Sequence, residues 1–235
     1  MGVVFKFKQF EVNQRDCAMK INTDGVLLGA MVGADNPERI LDVGSGTGVI
    51  ALMLAQRFPS AIVDAVDIDE TAYKRTQENF RQSKFNERMN AHHGDFEVVK
   101  EIEAYDLIVS NPPFYINALH NPDNRKRLAR HTDLVFFRRL LHFSKNRLSQ
   151  SGTLQLILPT DLSEDIMPHA QGEGLILINE IRIQSFYESE PIRKILTFSK
   201  QGLCSRETTD FVIYQKKGVY SEAYQRLLKS FFLGF

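Results

Sequence analysis

Three glycines separate a predicted buried strand from a predicted helix within residues 39–58. Residues 40–43 form a short, mostly apolar run of strand length, and residues 49–58 have the apolar periodicity of a helix. The turn between them contains Gly44, Gly46 and Gly48. A strand that passes through a tight turn into a helix is the first half of a parallel βα unit. The chain is therefore expected to fold as an α/β protein with a mostly parallel sheet.

The spacing of these glycines differs from that of a dinucleotide-binding turn. Such a turn has the pattern Gly-x-Gly-x-x-Gly, whereas here Val49 stands where the third glycine would be. Asp42, at the end of the strand, would repel a pyrophosphate. An amino-acid head group fits better, because Asp42 can face its ammonium group and the helix N–H groups can face its carboxylate. A nicotinamide-dependent oxidoreductase remains a distant alternative.

A second strand–helix unit, at residues 61–83, ends its strand in Asp67, Ile68 and Asp69. Asp67 continues the alternation of the strand, and an acid at this position can accept two hydrogen bonds from a ribose diol. Asp69 is expected to cap the following helix. A second helix cap is the alternative for Asp67.

A third, weaker strand is predicted at residues 89–93, and Asp95 and Phe96 follow it. The Asp95 carboxylate can accept a hydrogen bond from an adenine amine, with the Phe96 ring beside the base. By itself this sequence is only a turn. After two units of the same kind it predicts an adenine pocket.

A fourth strand, in residues 105–114, ends in a polar and proline-rich turn. The turn consists of Asn111, Pro112, Pro113 and Phe114. The Asn111 side-chain oxygen and the Pro112 carbonyl can each accept one N–H of an exocyclic amine. Phe114 can stack on a flat ring, a contact that contributes about 1–3 kcal/mol per base. Taken alone, a strand-ending turn with a core phenylalanine explains the sequence equally well.

These four strand ends fit the parts of one ligand and its target: an amino acid, a ribose, an adenine and an acceptor amine. In this combination the chain resembles class I methyltransferases that transfer a methyl group from S-adenosylmethionine to an amine. More specifically, it resembles the bacterial tRNA(Val) adenine-N6 methyltransferases. The resemblance covers nearly the whole chain and depends on the motifs NQRDCAMKINTDGVLLGA, LDVGSGTG, AVDIDE, SNPPF and YSEAYQRLLKSFFLGF.

The resemblance implies a fold and a reaction. The fold is Rossmann-like, with a mostly parallel seven-stranded sheet, one reversed strand, helices on both faces and an N-terminal cap. The reaction is direct methyl transfer from S-adenosylmethionine to a flipped-out adenine of tRNA, immediately 3′ of the anticodon. The SNPPF motif is shared, so a methyltransferase of ribosomal RNA (guanine N2 or adenine N6) or of protein glutamine is an alternative. A non-catalytic RNA-binding protein with this fold is a more distant one.

The resemblance also implies roles for individual residues. The methionine part of the cofactor would be held by Asp42, Gly44, Gly46 and Gly48. The nucleoside part would be held by Asp67, Ile68, Asp95 and Phe96. The target base would meet Asn111, Pro112, Pro113 and Phe114, of which Asn111 also belongs to the cofactor-binding set. Residues 20–28 would close over the cofactor, which adds Lys20, Thr23 and Asp24.

Basic residues are concentrated directly after the SNPPF motif. Lys and Arg equal Asp and Glu at 29 each over the chain, yet residues 117–147 contain eight Lys or Arg and two Asp, an excess of 8 − 2 = 6. Residues 117–130 are predicted to form a polar loop, and residues 134–144 one face of a helix. RNA contact is predicted for Arg125, Lys126, Arg127 and Arg130. A solvated helix face is the alternative, and His131 fits a pocket wall or a structural role equally.

The remaining elements surround this core. The first strand–helix unit is preceded by an alternating segment at residues 5–12, which predicts a strand or hairpin, and by a helix from Gly25 with Thr23 or Asp24 as its cap. The later predictions are strands at 152–159, 175–185, 191–200 and 211–214 and helices at 162–173 and 221–232. The strands at 175–185 and 191–200 are expected to be antiparallel because a short polar segment joins them.

Length and composition fit one globular domain, or one domain with an appendage. With the resemblance, we expect a single methyltransferase domain over residues 1–235, with a cap at 1–36 and a catalytic α/β core at 37–235. The 235 residues are 43% hydrophobic, enough for a sizeable core. The two cysteines, Cys17 and Cys204, have neither metal-ligand nor disulfide spacing. We expect a cytoplasmic monomer without metal or membrane partner.

Overall fold

The computed structural model describes residues 3–99, 104–112, 122–202 and 206–235, with the backbone alone for residues 122–133. Its strands are β1 (Val4–Lys6), β2 (Glu11–Asn13), β3 (Arg39–Val43), β4 (Ile62–Asp67), β5 (Met89–His93), β6 (Tyr105–Ser110), β7 (Leu148–Pro159), β8 (Ile176–Gln184), β9 (Pro191–Ser199), β10 (Glu207–Val212), β11 (Tyr214–Lys216) and β12 (Val219–Tyr220). Its α-helices are α1 (Thr23–Met31), α2 (Val49–Arg57), α3 (Glu70–Gln82), α4 (Pro122–Arg147), α5 (Thr160–Gly172) and α6 (Glu222–Leu228).

The central sheet has the strand order β10-β8-β9-β7-β6-β3-β4-β5. Strand β9 is antiparallel to β7 and β8, and the other neighbouring pairs are parallel. This confirms the predicted mostly parallel sheet with one reversed strand. Strand β10 lies at the edge and makes eight described strands where seven were expected; it begins four residues before the edge strand predicted at 211–214. Strand β7 likewise begins four residues early.

The strand order changes direction at β3. Strands β3, β4 and β5 follow one another toward one edge, and β6 then returns to the other side of β3. In open α/β sheets, ligands bind outside the carboxyl ends of the strands at such a switch point. The carboxyl ends of β3 and β6 are therefore the expected position of a site, and we call this edge of the sheet the rim.

A hydrophobic cluster covers each face of the sheet. Alternate residues of β3 belong to different clusters: Ile40 packs with α1 and α2, and Leu41 packs with α4 and α5. The helix face predicted at residues 134–144 is confirmed, because Phe137, Leu140 and Leu141 are buried in the second cluster. Helices thus lie on both faces, as expected.

The N-terminal segment folds as the expected hairpin and packs against the end of the chain. Strands β1 and β2 are antiparallel, and Phe7, Phe10 and Val12 are buried. The Lys8 N–H donates to the carbonyl of Phe231 at 2.8 Å. Helix α6 ends earlier than the helix predicted at 221–232, and Leu228 and Phe231 are buried. Both ends of the chain therefore contribute to one core.

The predicted polar loop at residues 117–130 is wrong over residues 122–130, which begin helix α4. Residues 117–121 lie outside the described residues. Pro122 is the first described residue of α4, and proline suits the first turn of a helix because its missing N–H costs no hydrogen bond there and its fixed φ is already helical. Arg, Lys, Leu and Ala over 125–130 are strong helix formers, so their charge hid a helix start.

The predicted cap of α1 is also wrong. Asn22, with an extended backbone, is the N-cap residue, and its Oδ1 accepts the Gly25 N–H at 2.8 Å. Thr23 and Asp24 are instead the first helical residues. Asparagine is among the best N-cap residues, and it stands one place before the residues that we expected to cap.

Candidate active site

The loop of residues 44–48, here called the glycine loop, joins β3 to α2 at the rim. Gly44, Gly46 and Gly48 have φ values of 74°, 58° and 75°, a region that other residues rarely adopt. A Cβ on Gly44 or Gly46 would have no atom within 4 Å, whereas one on Gly48 would lie 2.8 Å from Phe80 of α3. The loop thus packs closely on α3 at one end and exposes bare backbone in front.

Two polar residues of α3 hold the glycine loop from behind. The Thr76 hydroxyl donates to the Gly46 carbonyl at 3.1 Å, and the Asn79 amide donates to the Thr47 carbonyl at 2.9 Å. Asn79 also exchanges two hydrogen bonds with the backbone of Asn13 in the hairpin. Neither residue was predicted as part of the site, although polar side chains three positions apart on the buried face of an amphipathic helix were a usable signal.

Asp42 lies beneath the glycine loop and is 0% exposed. Its Oδ2 accepts the N–H of Ala51 at 3.2 Å, which serves as a cap for α2 because the N-cap residue Gly48 has no side chain. Oδ1 is buried and has no hydrogen-bond partner among the residues described. Burial raises the pKa of Asp42 to about 7, and the bond from Ala51 opposes this rise only in part.

Asp67 ends β4 and joins two segments of the rim. Its Oδ2 accepts the N–H of Gly46 at 2.8 Å, and its Oδ1 accepts the N–H of Asp69 at 2.9 Å. Burial raises the pKa of Asp67 above its ordinary value, despite these bonds. Each carboxylate oxygen keeps a second lone pair, so Asp67 can still accept hydroxyl groups. Asp69 caps α3 through a 2.7 Å bond from the N–H of Ala72, as expected.

Asn111 follows β6 directly across the switch point from the glycine loop. The Ser110 hydroxyl donates to the carbonyl of Val43 at 2.8 Å, which ties the end of β6 to the residue that precedes the loop. Asn111 is 7% exposed, and its Nδ2 is 3.4 Å from the point that a Cβ of Gly25 in α1 would occupy. The turn is thus enclosed between β3 and α1. Pro112 is buried, and Pro113 and Phe114 lie outside the described residues.

Comparison with known proteins agrees with this geometry. The family described as Methyltransferase small domain matches residues 17–168. A protein of Pedobacter heparinus named tRNA1(Val) (adenine(37)-N6)-methyltransferase is 46% identical over 235 residues, covering 100% of both chains. The chain belongs to this methyltransferase family. A protein of the same name from Flavobacterium johnsoniae is 40% identical over 98% of this chain and 99% of its own.

The fold is also that of solved methyltransferases. The crystal structure of a predicted O-methyltransferase from Agrobacterium tumefaciens superposes with a TM-score of 0.69. It covers 88% of this chain and 96% of its own at 17% identity. The class I methyltransferase fold expected from the motifs is thus confirmed.

The residues of this methyltransferase fit its cofactor, S-adenosylmethionine. The cofactor carries a sulfonium and an ammonium group, and the acids Asp42 and Asp67 both have raised pKa values that a positive ligand would lower. The bare backbone of Gly44 and Gly46 leaves room for a ligand to approach. Ile68, beside Asp67, is 72% exposed and offers an apolar cover for a nucleoside.

The other predicted cofactor residues occupy mixed positions. Lys20 and Thr23 are exposed, while Asp24 is ion-paired with Arg193 of β9 at 2.8 Å. Asp95 lies at the rim after β5, and its Oδ1 accepts bonds from Arg139 of α4 and from the N–H of Glu97. Phe96 is buried against α4, so its contact with adenine stays a prediction. In the described parts of the chain, no group of acidic, His and Cys side chains has the arrangement of a metal site.

The predicted RNA-binding residues lie on α4, and two points fix the direction of this helix. Its bond to Asp95 places Arg139 level with the rim, and the last residue of the helix lies next to the start of β7, at the side of the sheet away from the rim. Residues 125–130 precede Arg139 by 9 to 14 positions, which is about 14–21 Å along a helix. The backbone of this segment therefore extends past the rim, and His131 lies beside it.

We expect cofactor affinity to depend on pH through Asp42. A cationic head group favours the ionised carboxylate, so affinity for S-adenosylhomocysteine should rise as pH rises through the Asp42 pKa of about 7. The stability of the ligand-free protein changes with pH in the opposite direction. Because the pKa of Asp42 is raised from 3.8 to about 7 in the folded protein, this group contributes stability that is fully present below pH 3.8 and is lost as the pH rises through about 7. Calorimetric titration at several pH values measures the first effect.

Asp42→Asn is the control for this prediction, because its side-chain oxygen can still accept the Ala51 N–H. The variant should bind with a flattened pH dependence in this range. If its affinity follows pH as steeply as that of the wild type, another group controls the binding.

Proposed function

We propose that this chain is an S-adenosylmethionine-dependent tRNA methyltransferase that methylates N6 of an adenine, as the names of its relatives state for tRNA1(Val) adenine 37. The observation that carries the proposal is the position of Asn111, enclosed across the switch point from the glycine loop. An amide next to a cofactor loop can hold an exocyclic amine of a base. The whole chain would act as one unit, as a monomer, in the cytoplasm where tRNA is.

The chain's own residues would position the amine. The Asn111 Oδ1 and the Pro112 carbonyl accept its two N–H groups, which keeps the nitrogen lone pair available instead of delocalised into the ring. When bound, S-adenosylmethionine supplies an electrophilic methyl group on a positively charged sulfur. Positioning of this kind can contribute several kcal/mol to a displacement. The mechanism requires no general base before attack, because the amine proton can leave to water or to Asn111 afterwards.

The substrate base has to leave its stack to reach a pocket of this kind. An anticodon loop makes this easier than a duplex, since its bases are less constrained. The basic segment of α4 that extends past the rim is suited to the phosphates on either side of such a base. An RNA substrate is therefore favoured over a peptide.

The decisive experiment is mass spectrometry of nucleosides from tRNA of a strain that lacks the gene. We expect N6-methyladenosine to be lost from tRNA(Val) and to return with the wild-type gene. A strain complemented with the Asn111→Ala variant should not recover it. An unchanged level of the modified nucleoside in the deletion strain would overturn the proposal.

Replacing Arg125, Lys126 and Arg127 with glutamine should weaken tRNA binding and reduce its salt dependence. Glutamine keeps the helix propensity of α4 but removes three charges, so the slope of log affinity against log salt should fall by about 2–3. Binding titrations at several salt concentrations measure this slope. A control variant that replaces the exposed Lys74 and Arg81 of α3 and Lys84 just after this helix should keep the wild-type slope. An equal loss in both variants would mean that the total charge matters and the segment does not.

A further inference from the structure

Arg139 on α4 contacts the loop that carries Asp95. Its guanidinium donates to Asp95 Oδ1 at 3.0 Å and lies 3.5 Å from Glu97 Oε1. Its Cζ lies 5.2 Å from the centroid of the Phe96 ring. Asp95, Phe96 and Glu97, which lead into and begin a short 3₁₀ helix (Phe96–Val99), thus all meet one side chain from a helix 44 positions later in the chain. We call these three residues the Asp95 loop.

The hydrogen bonds at Asp95 are unevenly distributed over its two oxygens. Oδ1 accepts both the Arg139 guanidinium and the N–H of Glu97 at 3.2 Å. Within the described ranges, Oδ2 has no such partner. A carboxylate fixed through one oxygen presents the other in a constant direction, which is what an acceptor of an adenine amine requires.

The Phe96 ring is the buried part of the contact between the Asp95 loop and α4. It is 4% exposed and packs edge-on against Phe143 of α4, with ring centroids 5.1 Å apart. Arg139 occupies a position over its ring that favours a cation–π contact. The Asp95 loop is therefore attached to α4 by a buried ring and by a charged pair at the surface.

We propose that Arg139 is a positioning residue for the adenine end of the cofactor, which it influences through Asp95 without contacting the ligand. The inference rests on the proposed function, because it assumes that an adenine nucleoside binds at Asp95. It adds to that function a link between the cofactor pocket and the helix that carries the RNA-binding segment.

A purely stabilising role explains the arrangement less well. The Arg139 and Asp95 side chains are 47% and 32% exposed, and ion pairs with this exposure contribute little to stability. Arg139→Gln is therefore expected to fold. Arg138 provides a matched control, because it is the adjacent arginine and its guanidinium contacts His169 of α5, at 3.3–3.4 Å, instead of the Asp95 loop.

The experiment measures binding of 5′-methylthioadenosine and S-adenosylhomocysteine by calorimetry. The first ligand has the adenine and ribose without the amino acid. Arg139→Gln should weaken both ligands by the same factor of about ten, as is typical when a residue that orients a binding group is lost. Arg139→Lys should recover part of the loss, and Arg138→Gln should bind both ligands as the wild type does.

The double variant with Asp95→Asn tests whether Arg139 acts through Asp95. In that background Arg139→Gln should weaken 5′-methylthioadenosine by less than about twofold, because coupled residues are not additive. In transfer assays the KM for S-adenosylmethionine should rise while kcat stays near the wild-type value.

Three results would overturn the inference while leaving the proposed function intact. They are unchanged binding by Arg139→Gln, a loss for S-adenosylhomocysteine without one for 5′-methylthioadenosine, or a full additional loss in the Asp95→Asn background. Failure of the wild type to bind either ligand would instead overturn the proposed function, and the role of Arg139 with it.

Discussion

Asn111→Ala is expected to lower the rate of methyl transfer by about 10²–10³-fold, the range seen when a positioned polar group is removed from an active site. The variant loses the side-chain oxygen that holds the target amine, so the amine is neither placed nor kept pyramidal. Its fold should persist, because truncation to alanine leaves the β6 strand and the Ser110–Val43 bond in place. Single-turnover assays with tRNA and S-adenosylmethionine measure the effect.

Cofactor binding separates this effect from general damage. Affinity for S-adenosylhomocysteine should stay within about threefold of the wild type, since the acids and the glycine loop are intact. Asn90→Ala is a suitable control: Asn90 is an asparagine of β5 that donates to Asp64, away from the carboxyl end of its strand. It should keep full turnover. Retained turnover by Asn111→Ala would contradict the assigned role.

Substitutions in the glycine loop should separate ligand binding from stability. Gly46→Ala adds a methyl group where no atom lies within 4 Å, so its folding cost is limited to the left-handed backbone, about 1–2 kcal/mol. The same methyl group occupies the space that a ligand needs. We expect it to weaken S-adenosylhomocysteine by about 100-fold, or nearly 3 kcal/mol.

Gly48→Ala should reduce stability more than ligand binding. Its Cβ would lie 2.8 Å from the Phe80 ring and 3.1 Å from Thr76 Cγ2, in addition to an unfavourable φ of 75°. A loss of about 2–4 kcal/mol in the free energy of unfolding is expected from overpacking and strain together. Urea denaturation measures this loss.

Gly172→Ala is the control for both glycine variants. Gly172 ends helix α5, and a Cβ there would meet no atom within 4 Å. It should change neither stability nor binding. If Gly46→Ala binds the ligand normally, the open space in front of the loop is not the binding site.

Local patterns in the sequence predicted most of the rim. Apolar runs mark β3, β4 and β6, and glycine, aspartate or asparagine stands where β3 to β6 end: Gly44 after β3, Asp67 at the end of β4, Gly94 after β5 and Asn111 after β6, so strand ends and polar groups were identified together. Parallel pairing then places these ends on one edge of the sheet without further information. The bounds of β3, β4, β5 and β6 needed no tertiary contact to be recognised.

Long-range contacts explain what the sequence did not reveal. The bond from Arg139 to Asp95 and the cap that Asp42 provides for α2 depend on how helices pack against the sheet. No spacing rule connects residues that are 44 positions apart. Asp42 was expected near a ligand's ammonium group; that its carboxylate is also fully buried and caps α2 depends on how α2 packs, which no local pattern shows.

The start of α4 was missed for a different reason. A run rich in Lys and Arg is polar in any conformation, so polarity alone could not distinguish a loop from a helix. Pro122 did not resolve the ambiguity, because proline is common in the first turn of a helix and in loops alike.

The bonds of Asn79 have a consequence for handling this protein. Asn79 connects the glycine loop to Asn13, and the hairpin that contains Asn13 is held through Lys8 by the carbonyl of Phe231. Proteolysis on the C-terminal side of Leu228, or a bulky fusion there, would release the hairpin and with it one support of the glycine loop. Preparations clipped at this end should therefore lose affinity for nucleoside ligands although every residue of the rim is still present.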